Sequence, residues 1–469
     1  MRLRSLVCIA LLCTASRAAH AQTAFTEVEP NSERAEATPI ACLAHGDTIS
    51  GTTTGTSILA GDASFASADV YRLQLCAQTP GIVRHELALV SATAGQVPTV
   101  RGLVQAGAPG SGGLVTTTDA TFSGGVGLGT VASPRVCAWY GFGAPAELYW
   151  RVAGTGLTPQ PYTATFSSTP VSETDLGNFV TGAITFSSLA QGHLSDTEFW
   201  IYDASFNALP LAGNDDAPAM STVQSRLTRT LAPGTYHLAV GGYNLANNLP
   251  SPVDDESAQG HVLDFPHVVA SNRATSNYDV SFSITDAGHT SAVSCHVNSA
   301  RAQEIAWFRF VVLAPFSEPF CFGDGTQLQP CPCGNTGAPG HGCANSVNAQ
   351  GALLDATGTP NPDTLTLTCS GTAATATVIF LKTDAPHTGF VFGDGVRCVD
   401  GALIRLRQRI AVAGVSVFPL PGDPLLSVRG QTPPGSALIG YYQAYYRNAS
   451  STFCTPDTFN ITNGWRIVW

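Results

Sequence analysis

The chain has 469 residues, with 22 Lys and Arg against 33 Asp and Glu and a formal charge of −11. Charged residues make up only 12 %, and Lys382 is the one lysine. Phosphate backbones are held by clustered cations, and no such cluster exists here, so nucleic acid is excluded as an expected partner.

The chain opens on Met1-Arg-Leu-Arg4, an apolar run from Leu6 to Ala15, and Ala19-His-Ala21. A basic start, a short apolar segment and a small-x-small cleavage site predict a secretory signal over 1–21. The run is too short to anchor in a bilayer, and no later stretch approaches ~18 uninterrupted apolar residues, so no membrane span is expected. Cleavage removes Arg2, Arg4 and Arg17 and no acid, taking the charge to −14.

Beyond the leader, apolar residues recur with period two and almost nowhere with helical spacing. Tyr71, Leu73 and Leu75 alternate with Arg72, Gln74 and Cys76; Tyr236, Leu238 and Val240 with His237 and Ala239; Val280, Phe282 and Ile284 with Asp279, Ser281 and Ser283; Trp465, Ile467 and Trp469 with Arg466 and Val468. One apolar and one polar face per segment is the pattern of antiparallel sheets. Turn clusters such as Ala232-Pro-Gly234, Gly213-Asn-Asp-Asp216 and Pro433-Pro-Gly435 punctuate the segments. The fold class is therefore all-β, built from tandem antiparallel sandwiches. Short helical turns fit Asn31 to Ala37 and Ala344 to Leu354. Breaks near Ser167 to Glu173 and at Ala314-Pro-Phe-Ser-Glu-Pro319 suggest units over 22–170, 171–314 and 317–469.

The last unit begins with FCFGDGTQLQPCPCGNTGAPGHGC, Phe320 to Cys343. Four cysteines and many glycines in 24 residues leave too little apolar surface to fold by burial alone. In an exported chain such cysteines read as disulfides. Cys321, Cys331, Cys333, Cys343, Cys398 and Cys454 are expected to bridge, with pairing open, and Cys42, Cys76, Cys137 and Cys295 to form two more bridges. Cys369 is left over. It shares a strand face with Leu365 and Leu367, so it reads as a buried free thiol. Zinc is not expected, because structural sites prefer Cys-x₂₋₄-Cys and reduced thiolates.

Several segments resemble known families. Thr26-Glu-Val-Glu-Pro-Asn31, Gly46-Asp-Thr-Ile-Ser-Gly51 and Asp69-Val-Tyr71 look like the start of a pre-peptidase C-terminal (PPC) domain. So do Asp196-Thr-Glu-Phe-Trp-Ile-Tyr-Asp203, Asn214-Asp-Asp216 and Leu231-Ala-Pro-Gly-Thr-Tyr236. The resemblance implies secreted jelly-roll-like sandwiches that accompany enzymes without being catalytic. The segment from Phe320 to Trp469 resembles a cysteine-containing C-terminal module of secreted bacterial proteins, matched at Cys331-Pro-Cys333, Phe392-Gly-Asp-Gly395, Arg397-Cys398, Tyr446-Arg-Asn448 and Thr462-Asn-Gly464. The PPC resemblance also implies calcium. Glu27, Glu29, Asn31 and Asp69 fit its ligand pattern, with Ser32 and Ser67 standing where acids are usual. Asn214, Asp215 and Asp216, with Asp203 near in sequence, form a second candidate. Asp254-Asp-Glu256 reads as a solvated loop.

Catalytic motifs are absent. His85-Glu86 has Leu89 where a zinc-protease helix needs His, and no Gly-x-Ser-x-Gly elbow occurs. Lys382 lacks the glycine loop of a nucleotide site. Arg405, Arg407 and Arg409 alternate on a strand and read as a charged edge or an anionic-polysaccharide contact. Tyr441, Tyr442, Tyr445 and Tyr446 divide between core and a sugar-stacking face. The expectation is a secreted or cell-surface bacterial protein, not an enzyme, that binds a polysaccharide or matrix protein or serves as surface structure, with calcium as its cofactor. The alternative is a secreted hydrolase without a local motif.

Overall fold

A computed structural model describes residues 21–469 apart from 54–66, 94, 107–113, 155–157, 218–221, 253–254, 256–260, 275–277, 289, 298–300 and 455. The expected signal, save Ala21, lies outside the described residues. The chain is all-β: the one α-helix among the described residues is Leu426–Gly430, with a 3-10 turn at Arg34–Glu36. Among the described residues no helix is long and apolar enough to cross a membrane. The chain divides into two compact units, 1–314 and 315–469.

Two sandwiches build the first unit. In the first, a seven-stranded sheet runs in the order Ala24–Thr26, Thr48–Thr53, Gln160–Pro170, Val83–Ser91, Arg135–Gly141, Val268–Ser271, Leu245–Ala246. The facing sheet is ordered His261–Val262, Val97–Ala106, Glu147–Ala153, Ala68–Leu75, Thr38–Leu43, with Leu114–Gly124 paired to Val97–Ala106. The alternation closes the core: Tyr71, Leu73 and Leu75 meet Leu87, Leu89, Trp139 and Phe166 across the two sheets. Strands drawn from residues 245–271 thus complete the sheets of the first sandwich, and the boundary expected at 170/171 does not separate hydrogen-bonded strands. Arg34 reinforces this link, pairing with both Asp119 and Asp264 while stacking on Tyr149.

The second sandwich packs a five-stranded sheet (Thr174–Val180, Ala306–Leu313, Gly234–Gly242, Thr197–Asp203, Ala208–Asn214) on a four-stranded one (Arg226–Leu231, Gly182–Ser187, Phe282–Thr285, Thr290–Val293). Phe186, Phe199, Phe282, Phe308 and Phe310 fill its core. Thr197–Asp203 is buried on both faces as far as Tyr202, because Trp200 and Tyr202 join a second apolar cluster with Tyr140, Phe142 and Trp307.

The C-terminal unit orders Ser317–Phe320, Gly464–Val468, Ile439–Arg447, Thr377–Thr383 and Ile404–Ile410 in one sheet, with Phe459–Ile461 also on Ile439–Arg447. Leu353–Thr357, Thr366–Ser370 and Ser416–Phe418 form the second. Tyr442 and Tyr446 are core residues, while Tyr441 and Tyr445 stay half-buried, as alternation requires. Buried amides do the work of missing strands. Asn463 accepts from Leu354 N (2.7 Å) and donates to Leu354 O (3.0 Å), closing an edge; Gln443 accepts from Cys398 N (2.9 Å) and donates to Thr462 O (2.8 Å).

Disulfides join Cys42 to Cys76, Cys321 to Cys398, Cys331 to Cys343 and Cys333 to Cys454. Cys369 is a buried free thiol. Cys137 and Cys295 are free as well, which corrects the expected fifth bridge. Cys137 lies in the core of the first sandwich and Cys295 packs on that of the second, so neither faces a partner. The arginine strand is a second correction. A bulge pairs Arg407 with Phe380 but Arg405 with Leu381, adjacent residues that point to opposite faces, so the three arginines do not share one face. Arg407 and Arg409 hold Asp423, and Arg429 bonds the carbonyls of Arg405 and Leu406, which guards the open edge of that strand.

Asn463→Ala would leave the Leu354 N–H and C=O buried without partners. We expect a loss of about 2–4 kcal/mol in the urea transition of the C-terminal unit, measured on the full chain.

Candidate cation sites

The segment after the first strand folds back onto two others. Glu27 N donates to Ser50 O (3.0 Å), and Thr52 N donates to Glu27 Oε1 (2.8 Å). Asn31 N donates to Glu29 Oε2 (3.1 Å), and Val70 N donates to Asn31 O (2.8 Å), beside Asp69. These backbone ties bring carboxylate oxygens of Glu27, Glu29 and Asp69 within 4.8 Å of one another. Asp69 is fully buried, and its Oδ2 accepts from the Tyr162 hydroxyl (2.6 Å), itself 2.6 Å from the Tyr71 hydroxyl.

Three side-chain oxygens of the expected ligand set are buried without any hydrogen-bond partner: Glu27 Oε2, Asn31 Oδ1 and Asp69 Oδ1. Ser32 Oγ, where an acid is usual, is also buried and unpartnered. Burial, and then the Asp69 charge, push the Glu27 carboxyl up to about 8; burial raises Asp69 as well. Two facing carboxylates in a dry site must share a proton or take up a cation. Gly51 makes the room, since a Cβ there would collide with the Tyr162 hydroxyl and Glu27 Oε2. The oxygen-only donor set and the lined space fit a hard divalent ion such as calcium. The PPC resemblance points to Glu27, Glu29, Asn31 and Asp69; it gives no signal for Tyr162 or for the need for Gly51.

In the second sandwich, carboxylate oxygens of Asp196, Asp215 and Asp216 lie within 4.8 Å of one another. Asn214 shapes the loop: its Nδ2 donates to Asp216 O (2.9 Å) and its Oδ1 accepts from Arg226 N (2.6 Å). Asp203 stands apart, accepting from Ser205 N and Asn207 N in its own turn. The solvated-loop reading of 254–256 fails at Asp255, which is 1 % exposed and accepts from Asp215 N and Asp216 N. Asp254 and Glu256 lie outside the described residues. Asp196 is pushed up to about 6 by burial and by Asp216.

A cleft of about 920 Å³ is lined by His45, Gln78, Pro80 and Ser168 among others. Ser168 Oγ lies 2.9 Å from His85 Nδ1, the arrangement a hydrolase would need. His85, however, is buried, stacks on Phe166 with the Trp139 ring tilted beside it, and is pushed down to about 3 by burial. A general base works best with a pKa near the operating pH, so this histidine is a weak proton acceptor and reads as a satisfied core group.

In the C-terminal unit a ledge of half-buried rings lies at the Ala385–Phe392/Gly395–Asp400 hairpin. Phe392 sits 5.0 Å from Phe459 and 5.9 Å from Tyr445, and Arg397 stacks over Phe390 and Phe392. The sequons at Asn448 and Asn460 are closed to modification in the folded chain, because both asparagines are buried. No protein-family profile and no curated protein matches this chain.

The unfolded chain takes up a proton on His85 near its ordinary 6.5, the folded chain only near 3. Stability is therefore lost as pH falls below about 6.5, by up to ~1.4 kcal/mol per pH unit, levelling off near 3. Denaturant titrations of wild type and His85→Gln should diverge with that slope. Parallel pH profiles would contradict it.

Proposed function

We propose that this is a secreted, non-catalytic β-sandwich protein that binds polysaccharide at the bacterial surface, with calcium fixing its N-terminal segment. The observation that carries the binding role is the half-buried ledge of Phe390, Phe392, Tyr445 and Phe459 with Arg397 stacked across it. Partly exposed aromatic rings pack against sugar rings and lose little side-chain entropy on binding. The guanidinium adds a charge-assisted donor for acidic sugars.

The calcium role is supported by the unpartnered oxygens of Glu27, Asn31 and Asp69. An ion there ties the start of the mature chain to the Thr48–Thr53 and Ala68–Leu75 strands and offsets the repulsion between Glu27 and Asp69. The four disulfides fit an oxidising compartment, and the PPC resemblance agrees with a non-catalytic accessory role.

On a polysaccharide array, Phe392→Ala and Tyr445→Ala should each weaken binding at least tenfold. Undiminished binding by both would remove the ledge from the account. Hydrolytic turnover abolished by Ser168→Ala would replace the reading with the hydrolase alternative. Chelation with EGTA should lower the melting temperature by about 5–10 °C, and an unchanged value contradicts the calcium role.

A further inference from the structure

The first sandwich carries, away from its core, an arginine that no sequence motif marks. In Glu147–Ala153, Leu148, Trp150 and Val152 turn into the core, so Glu147, Tyr149 and Arg151 stand on the other face of the strand. The register gathers further arginines there from distant parts of the chain. Arg72 pairs opposite Tyr149 and Thr99 opposite Arg151, which puts Arg101, two residues on from Thr99, diagonal to Arg151 on the same face. Arg34 stacks on the Tyr149 ring at 4.5 Å.

Three of these four arginines hold acids. Arg72 pairs with Glu147 (2.6 Å), Arg101 with Asp119 (2.6 Å), and Arg34 with Asp119 and Asp264. Arg151 holds none. Among the described residues its side chain makes no ion pair and no hydrogen bond, and its Nε is buried without an acceptor. Burial and the Arg101 charge draw it below the ordinary arginine pKa. A carboxyl placed this way could take up a proton, but a guanidinium does not shed one. The charge stays, and an anion is what offsets it.

We propose that Arg151, backed by Arg101, binds the carboxylate of an acidic polysaccharide on this face of the first sandwich. A guanidinium fork takes a carboxylate in two parallel hydrogen bonds, and partial burial strengthens them. Glu147, Asp119 and Asp264 interleave with the arginines, which suits one carboxylate at a time and not the dense phosphates of nucleic acid. That the carboxylate belongs to a polysaccharide rests on the function proposed above; the anion site does not, and it shares no residue with the ring ledge.

The test titrates trigalacturonate into the full chain carrying Phe392→Ala and Tyr445→Ala, which silences the ledge. One trimer per chain should bind, more weakly as salt rises, and uncharged maltotriose should not bind. Arg151→Gln in that background should weaken binding at least tenfold without lowering the melting temperature, because no partner is lost. Arg151→Lys keeps the charge but not the fork; it should also weaken binding, and it serves if the glutamine variant does not fold. Galacturonate monomer bound as tightly as the trimer would uphold the anion site and remove the polysaccharide as its bearer. Trimer binding that neither Arg151 change alters, or no binding at all in this background, would overturn the site, whatever becomes of the ledge.

Discussion

The structure turns on carboxylates buried face to face. An ionised carboxyl removed from water is unstable by several kcal/mol unless a counter-charge or hydrogen bonds replace the lost solvent. Asp69 lies in a strand of the first core with one oxygen on Tyr162 and the other without a partner. Glu27 is held opposite it by backbone ties that it cannot relax without unpairing the first strand. The pair sits where the segment after the first strand meets a strand of the facing sheet. An ion at such a crossing fastens an irregular segment to a regular one, which a small apolar contact would do less firmly.

The C-terminal unit solves its stability problem differently. Its glycine-rich start has little apolar surface; the Cys321–Cys398 and Cys331–Cys343 disulfides pack with Val396 and Phe320, and Cys333–Cys454 adds a third link. Beneath them, Gln443, Asn460 and Asn463 satisfy backbone groups that no strand reaches. Such amides tolerate little change, because each buried partner left without its bond costs about 1–3 kcal/mol. A rigid base of this kind lets a short hairpin present aromatic rings to solvent without collapsing onto the core.

Local alternation made much of this legible. Tyr71, Leu73 and Leu75 turn inward as the period of two demands, and Cys369 lies buried with its two leucines. The Glu27 to Asp69 group is legible only through the resemblance to PPC domains, whose ligand pattern these residues follow. What stayed hidden was non-local. Nothing in residues 245–271 announces that they pair with strands 100 residues and more away in the chain. A cysteine count gives the number of thiols but not the core each one enters, so it offers Cys137 and Cys295 a bridge that the fold does not form. The bulge at Leu406, which divides the arginines, depends on cross-strand register and leaves no trace in the sequence.

The most direct measurement is anomalous X-ray scattering from crystals grown with calcium and with EGTA. The account predicts a calcium peak bounded by Glu27, Glu29 and Asp69, lost with chelator. Facing carboxylates at unchanged separations, with no peak between them at saturating calcium, would contradict it.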